Sequence, residues 1–192
     1  MESLIRAVFL VICLSLAGVA HVLWLRSPVS RLLSQPVDQG VTLRGRRLFG
    51  ANKMLRGFVA MPPATALAFG ALGGLRPIYP PGIMDALWDL SALGYCALGL
   101  ASGLAFMLAE LPNSFLKRQL DVEPGGLATS TWLRPLCFVL DRFDSTLGVL
   151  LVVTLALPTS WATWGIALSL GVAGHALFSH WLHRVGVKAR SL

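Results

Sequence analysis

Residues 136–158 read LCFVLDRFDSTLGVLLVVTLALP. A helix needs about 20 apolar residues to cross the hydrocarbon of a bilayer, and this stretch supplies them. It also carries Asp141 and Asp144 near its start. A carboxylate in such a run is costly in lipid and is expected to face a cavity or a partner. The two are three residues apart, which puts them on one helix face. Four more apolar runs lie along the chain, at about 4–25, 57–75, 84–111 and 160–182, the second interrupted by Pro62 and Pro63. Strand-length alternation is absent, so a transmembrane barrel is excluded and helices remain. The expectation is an all-α integral membrane protein. It has five transmembrane helices in a single membrane domain over 1–192, with polar loops at 26–56 and 112–135.

Composition agrees. Of 192 residues, 55% are hydrophobic and 13% charged. An ordinary soluble domain carries about 25% charged residues. A mean hydropathy of +0.70 excludes a disordered chain as well. The net charge of +7 comes from basic residues that flank apolar runs, the pattern that orients membrane proteins. With five spans, Arg6 and Arg76 fall on one side and the other basic residues on the opposite side. The positive-inside rule then puts the N-terminus outside and the C-terminus in the cytoplasm. The active face would be cytoplasmic, at the inner (cytoplasmic) membrane. Anionic lipid headgroups or phosphorylated substrates are the expected partners, and nucleic acid is not. Residues 1–20 have too weak a basic region for a signal peptide, and cleavage would leave the arginine-rich loop outside, so the first span is read as retained. Cys13, Cys96 and Cys137 show no CxxC spacing and read as buried thiols. Gly70-x-x-x-Gly74 and Gly99-x-x-x-Gly103 permit close helix approach. Packing inside the chain is the default for them, and a homodimer seam is the alternative.

Two charged regions invite a chemical reading. Glu110, Asp121, Asp141 and Asp144 lie near the cytoplasmic ends of the third and fourth spans. Asp141 and Asp144 repel each other unless a cation intervenes. That cation is either Mg²⁺, which favours one or two carboxylates plus substrate phosphates, or Lys117 or Arg118 in an ion pair. The stretch from Arg44 to Gly57 carries three glycines, Asn52 and five cations. It reads either as a polybasic lipid contact or as a phosphate-binding loop.

These two regions resemble one family. Asp38-Gln-Gly40, Gly45-Arg-Arg-Leu-Phe-Gly-Ala-Asn-Lys53 and Arg56-Gly57 are similar to the motifs of the CDP-archaeol synthases, a group of CTP-dependent lipid cytidylyltransferases. So are Glu110-Leu-Pro-Asn-Ser-Phe-Leu-Lys-Arg118, Pro124-Gly125 and Leu140-Asp-Arg-Phe-Asp-Ser145. The last is also similar to the signature of phosphatidate cytidylyltransferases. Two positions depart from the pattern: Met54 stands where the family has Thr, and Ala109-Glu110 where it has Gly-Asp.

The resemblance implies cytidylyl transfer from CTP to a lipid phosphate, with Mg²⁺ as cofactor. It implies that Asp141 and Asp144 hold the metal, with Glu110 or Asp121 as further ligands, and that Lys117 and Arg118 contact phosphate in catalysis. Asp38, Arg46, Asn52, Lys53, Arg56, Gly57, Ser114, Arg142 and Ser145 would line the substrates. A CTP-dependent lipid kinase and a non-enzymatic scaffold or transporter are the alternatives. Asp85 and Asp89 read as interfacial caps on the outer side. His21 receives no role, and His175, His180 and His183 read as interface or core groups. Trp132, Trp161, Trp164 and Trp181 read as an interfacial belt.

Overall fold

The computed structural model of the chain describes residues 1–123 and 133–184. Pro124-Gly125, Trp132, Lys188 and Arg190 lie outside the described residues, as do the side chains of Arg134, His175, His180, Trp181 and His183. Five long helices carry the apolar runs: α1 (Glu2–Arg26), α2 (Leu55–Gly74), α4 (Ala92–Gln119), α5 (Leu133–Ala156) and α6 (Trp161–Arg184). A short α3 (Pro81–Met84) precedes α4. Among the described residues, three helical stretches are long and apolar enough to cross a membrane: Glu2–Arg26, Leu55–Ile78 and Ala92–Gln119.

What these helices leave uncovered fits lipid. Leu4, Val8, Ile12, Leu16, Val19 and Leu23 form an exposed stripe along α1. Leu93, Leu100, Leu104 and Leu108 do the same on α4, and Leu147, Leu151 and Leu155 on α5. Contiguous exposed apolar stripes of this kind mark contact with lipid or a partner and not with water.

The central seam joins α2 to α4, the most extensive contact between elements among the described residues. Small residues set its distance. A Cβ on Gly99 would come within 2.5 Å of the Thr65 carbonyl oxygen and 2.8 Å of Phe69 Cβ. One on Gly103 would meet Pro62 Cα at 2.7 Å. Gly70 and Gly74 face Cys96 and Ala92 across the same seam. Both small-xxx-small pairs therefore serve packing within the chain. Pro62 and Pro63 sit inside α2 without ending it. The buried Thr65 hydroxyl lies 2.9 Å from the carbonyls of both Met61 and Pro62, so a polar partner accompanies the break in the ladder.

Two boundaries differ from the sequence reading. The third long helix begins at Ala92 rather than near Met84, because Ser91 caps it: its hydroxyl accepts from the Gly94 N–H at 3.1 Å. It also runs on through Pro112 to Gln119 instead of stopping at Leu111. Lys117 and Arg118 in its last turn oppose the negative end of the helix dipole. The extra two turns carry Asn113, Ser114, Lys117 and Arg118.

The chain is helical as expected, and the 26–56 loop adds to the helices a small two-stranded antiparallel hairpin, β1 (Thr42–Leu43) and β2 (Arg46–Arg47). Arg44 (φ 53°) and Gly45 (φ 79°) form its turn. Positive φ at both central residues is what a two-residue hairpin of the I′ type requires. The loop closes on itself where the Val37 N–H donates to the Lys53 carbonyl (2.7 Å) and the Leu55 N–H to the Gln35 carbonyl (2.9 Å).

Candidate active site

At the hairpin end of the bundle, α4 and α5 present facing polar stripes. Glu110, Asn113, Ser114 and Lys117 follow the i, i+3, i+4, i+7 spacing of one face of α4. Asp141, Asp144 and Ser145 follow it on α5. Asn113 bridges the two carboxylates: its Nδ2 donates to Asp141 Oδ1 at 2.7 Å and to Asp144 Oδ2 at 2.9 Å. Lys117 pairs with Asp141. The Ser145 hydroxyl stands 2.9 Å from Glu110 Oε1 and 3.1 Å from Asp144 Oδ1, and its backbone N–H donates to the latter at 2.7 Å. Glu110 Oε2 pairs with Lys53, which reaches in from the loop before α2.

The structure thus brings Glu110, Lys53, Lys117, Asp141, Asp144 and Ser145 into one connected network. The added member is Asn113, which lies inside the Glu110–Arg118 motif. Reading the α4 stripe through Pro112 would have found it. Asp121 stands apart from this cluster: it is at φ 57°, mostly exposed, and pairs with Arg46. Arg46 also donates to the Gln119 carbonyl. The pair fastens the hairpin to the end of α4 instead of facing the network.

Asp38 has a comparable positioning task. Its side chain is fully enclosed and accepts from the N–H groups of Gly40 (3.1 Å), Phe49 (3.1 Å) and Gly50 (2.9 Å) and from Arg47. Burial alone would raise its pKa. The Arg47 pair and three backbone donors outweigh burial and hold it at about 2. Gly50, at φ 92°, lets the loop lie against Arg118: a Cβ there would sit 3.2 Å from Arg118 Cδ and Nε. Arg118 is buried, and its Nε and Nη1 have no hydrogen-bond partner among the described residues. A buried guanidinium with open donors suits an incoming anion.

Two cavities adjoin the network. The larger, about 490 Å³, has a polar end of Lys53, Glu110, Asn113, Ser114, Asp141, Arg142, Asp144 and Ser145. The rest of its lining is largely apolar, with Val11, Leu14 and Val22 from α1, Met61 from α2 and Phe106 from α4, beside Ser15, His21 and Thr146. The smaller, about 170 Å³, is lined by Asn52, Lys53, Arg56 and Gly57 together with His21, Met54 and Glu110. Met54, in the family's Thr position, is the N-cap residue of α2 and makes no side-chain cap bond.

The donor set suits a hard cation. Asp141 and Asp144 offer oxygen ligands joined through one amide, and Mg²⁺ is ordinarily held by one or two carboxylates plus substrate phosphates. Among the described residues no three His, Cys, Asp or Glu side chains gather as a metal cluster. The fit is to a cation shared with a phosphate ligand, not to an all-protein cage.

No protein-family model matches the chain. The chain is 32% identical to the CDP-archaeol synthase of Pyrococcus furiosus over 71% of its own length and 80% of that protein's. It is 31% identical to that of Methanoculleus marisnigri over 78% of this chain and 80% of that one. A solved structure described as an intramembrane enzyme for archaeal membrane lipids biosynthesis superposes with a TM-score of 0.58 at 26% identity, covering 88% of this chain and 91% of that one. With relatives of that name at this identity and coverage, the chain belongs to the CDP-archaeol synthase family.

Proposed function

We propose that the chain transfers the cytidylyl group of CTP to a membrane lipid phosphate, giving a CDP-lipid and pyrophosphate. The observation that carries this is the larger cavity, lined both by the carboxylate network and by apolar side chains of α1, α2 and α4. A lipid phosphate has the same division of polarity. A phosphate oxygen of the lipid attacks the α-phosphorus of CTP. The bond to the bridging oxygen breaks, and pyrophosphate leaves with the electron pair. The attacking phosphate is already anionic near neutral pH, so the chain need not supply a general base. Its work is alignment and charge placement.

Asp141 and Asp144 are the residues that would hold Mg²⁺, with Glu110 beside them. When bound, the ion neutralises charge on the phosphate oxygens. Asn113 keeps the two carboxylates side by side. Lys117 neutralises Asp141 and stands ready for phosphate. Asn52 and Lys53 supply donors from the loop before α2, Arg56 from the first turn of α2 and Arg118 from the last turn of α4, and Ser114, Arg142 and Ser145 line the cavity wall. Asp38, Arg46 and Asp121 serve by fixing the loop over the site. In this reading α1, α2, α4, α5 and α6 each cross the bilayer, with the N-terminus outside and the basic hairpin rim in the cytoplasm. That orientation is supported by the basic residues gathered at the hairpin end. Neither a kinase nor a scaffold or transporter has an observation of its own in its favour.

Purified protein in detergent with Mg²⁺, CTP labelled at the α-phosphorus and a panel of lipid phosphates and lipid alcohols tests the proposal. Label entering the lipid fraction with a phosphate acceptor supports it, and the acceptor identifies the substrate. Release of CDP with a lipid alcohol would replace it by a kinase.

A further inference from the structure

His21, near the end of α1, belongs to no motif. Its Nε2 is buried and has no hydrogen-bond partner among the described residues. A buried imidazole nitrogen left without a partner marks a place where something else binds. Three residues line both cavities: His21, Lys53 and Glu110. Lys53 and Glu110 are paired to each other, and the second oxygen of Glu110 already faces the Ser145 hydroxyl. Of the three, His21 is the one with a buried polar atom that has no partner among the described residues.

Gly57 packs beside this nitrogen. A Cβ on Gly57 would sit 3.7 Å from His21 Nε2 and 2.8 Å from Met107 Cε. Gly57 and His21 together line the smaller cavity. The charges that bear on it are those of Glu110 and Arg56. Arg56 and Lys53 make the surroundings of this junction suited to an anion.

We propose that His21 is a phosphate-binding residue. With its proton on Nε2, it donates a hydrogen bond to a phosphate oxygen where the two cavities meet. In-line transfer requires the two phosphates to come together, and the shared wall of the two cavities is where that geometry is available. The proposal rests on the cytidylyl-transfer reading. The phosphate belongs either to CTP or to the lipid, and the test separates them.

The experiment uses the full chain in detergent, with His21→Leu and His21→Gln beside the wild type. CTP affinity is read by calorimetry without lipid, and KM for the lipid phosphate at saturating CTP. Thermal unfolding is followed in parallel. A charge-assisted hydrogen bond lost at this point corresponds to roughly a tenfold to hundredfold weakening. His21→Leu is expected to show it in CTP affinity if the nucleotide phosphate is the ligand, or in lipid KM alone if the lipid phosphate is. His21→Gln, whose amide donor reaches a similar point, recovers most of the loss, and the unfolding temperature stays near wild type. Both constants within twofold of wild type in His21→Leu would overturn the proposal. So would equal losses in the two variants with a lowered unfolding temperature, which mark a packing residue. A wild-type chain that neither binds CTP nor moves label would overturn the cytidylyl-transfer reading and this inference with it.

Discussion

The two ends of the bundle use charge in opposite ways. At the end away from the hairpin, polar groups hold backbone turns together. Arg6 donates to the carbonyls of Ala86 (2.9 Å) and Pro158 (3.1 Å), pairs with Glu2, and lies 5.1 Å over the Trp88 ring. Tyr95 donates to the Trp88 carbonyl (2.6 Å), Trp88 to that of Pro158 (3.2 Å), and Arg76 to that of Met84 (3.0 Å) while pairing with Asp89. Below them Phe9 meets Phe69 and Tyr95 at 5.5 Å in an aromatic cluster. At the hairpin end, carboxylates and cations from α4, α5 and the 26–56 loop instead surround a cavity. Charge fastened to backbone carbonyls is structural. Charge gathered around a void is available for a ligand.

Substitutions at the two ends should therefore separate activity from stability. The largest effect is expected from Asp141→Asn. It removes a carboxylate from the network and should lower turnover about a hundredfold to a thousandfold, by analogy with loss of one preorganised electrostatic group. Labelled-CTP turnover, with the unfolding temperature as control, measures it. At the opposite end, Arg6→Ala should cost about 2 kcal/mol of stability through its lost carbonyl bonds and ring contact. Turnover per folded molecule should remain, and a matching fall in turnover would blur the contrast drawn between the ends.

Asp38 offers a test of the loop. Its folded pKa of about 2 lies below the ordinary 3.8. Its stabilisation, about 2 kcal/mol, is therefore complete above roughly pH 4 and is lost as pH falls from there through about 2. Asp38→Asn should lower stability at neutral pH and flatten the pH dependence across that window, read by unfolding at each pH. The smallest effect is expected from Met54→Thr. A hydroxyl at the N-cap of α2 should add about 1 kcal/mol of stability. A change in turnover without one in stability would show that position 54 meets substrate instead.

The sequence made much of this legible because long apolar helices announce themselves by length and apolarity. The existence of the five long helices and the carboxylate pair could be read directly, though not both ends of α4. Other features could not. Pro112 reads as a helix end, yet it lies within α4, and so Asn113 went unassigned beside the carboxylates it bridges. The Arg44–Gly45 turn lacks the Asn-Gly or Asp-Gly pair that usually signals such a hairpin. Asp121 counts as one more acidic residue in sequence, and only its backbone turn and Arg46 take it away from the others. His21 sits in an apolar run whose neighbours say nothing about the void it borders.

The most direct test of the account runs wild type, Asp144→Asn and Arg6→Ala side by side in the α-labelled CTP assay, each normalised to folded protein. Label should reach the lipid phosphate with wild type and Arg6→Ala and fail to do so with Asp144→Asn. Wild-type transfer by Asp144→Asn would contradict the placement of the chemistry at the α4–α5 carboxylates.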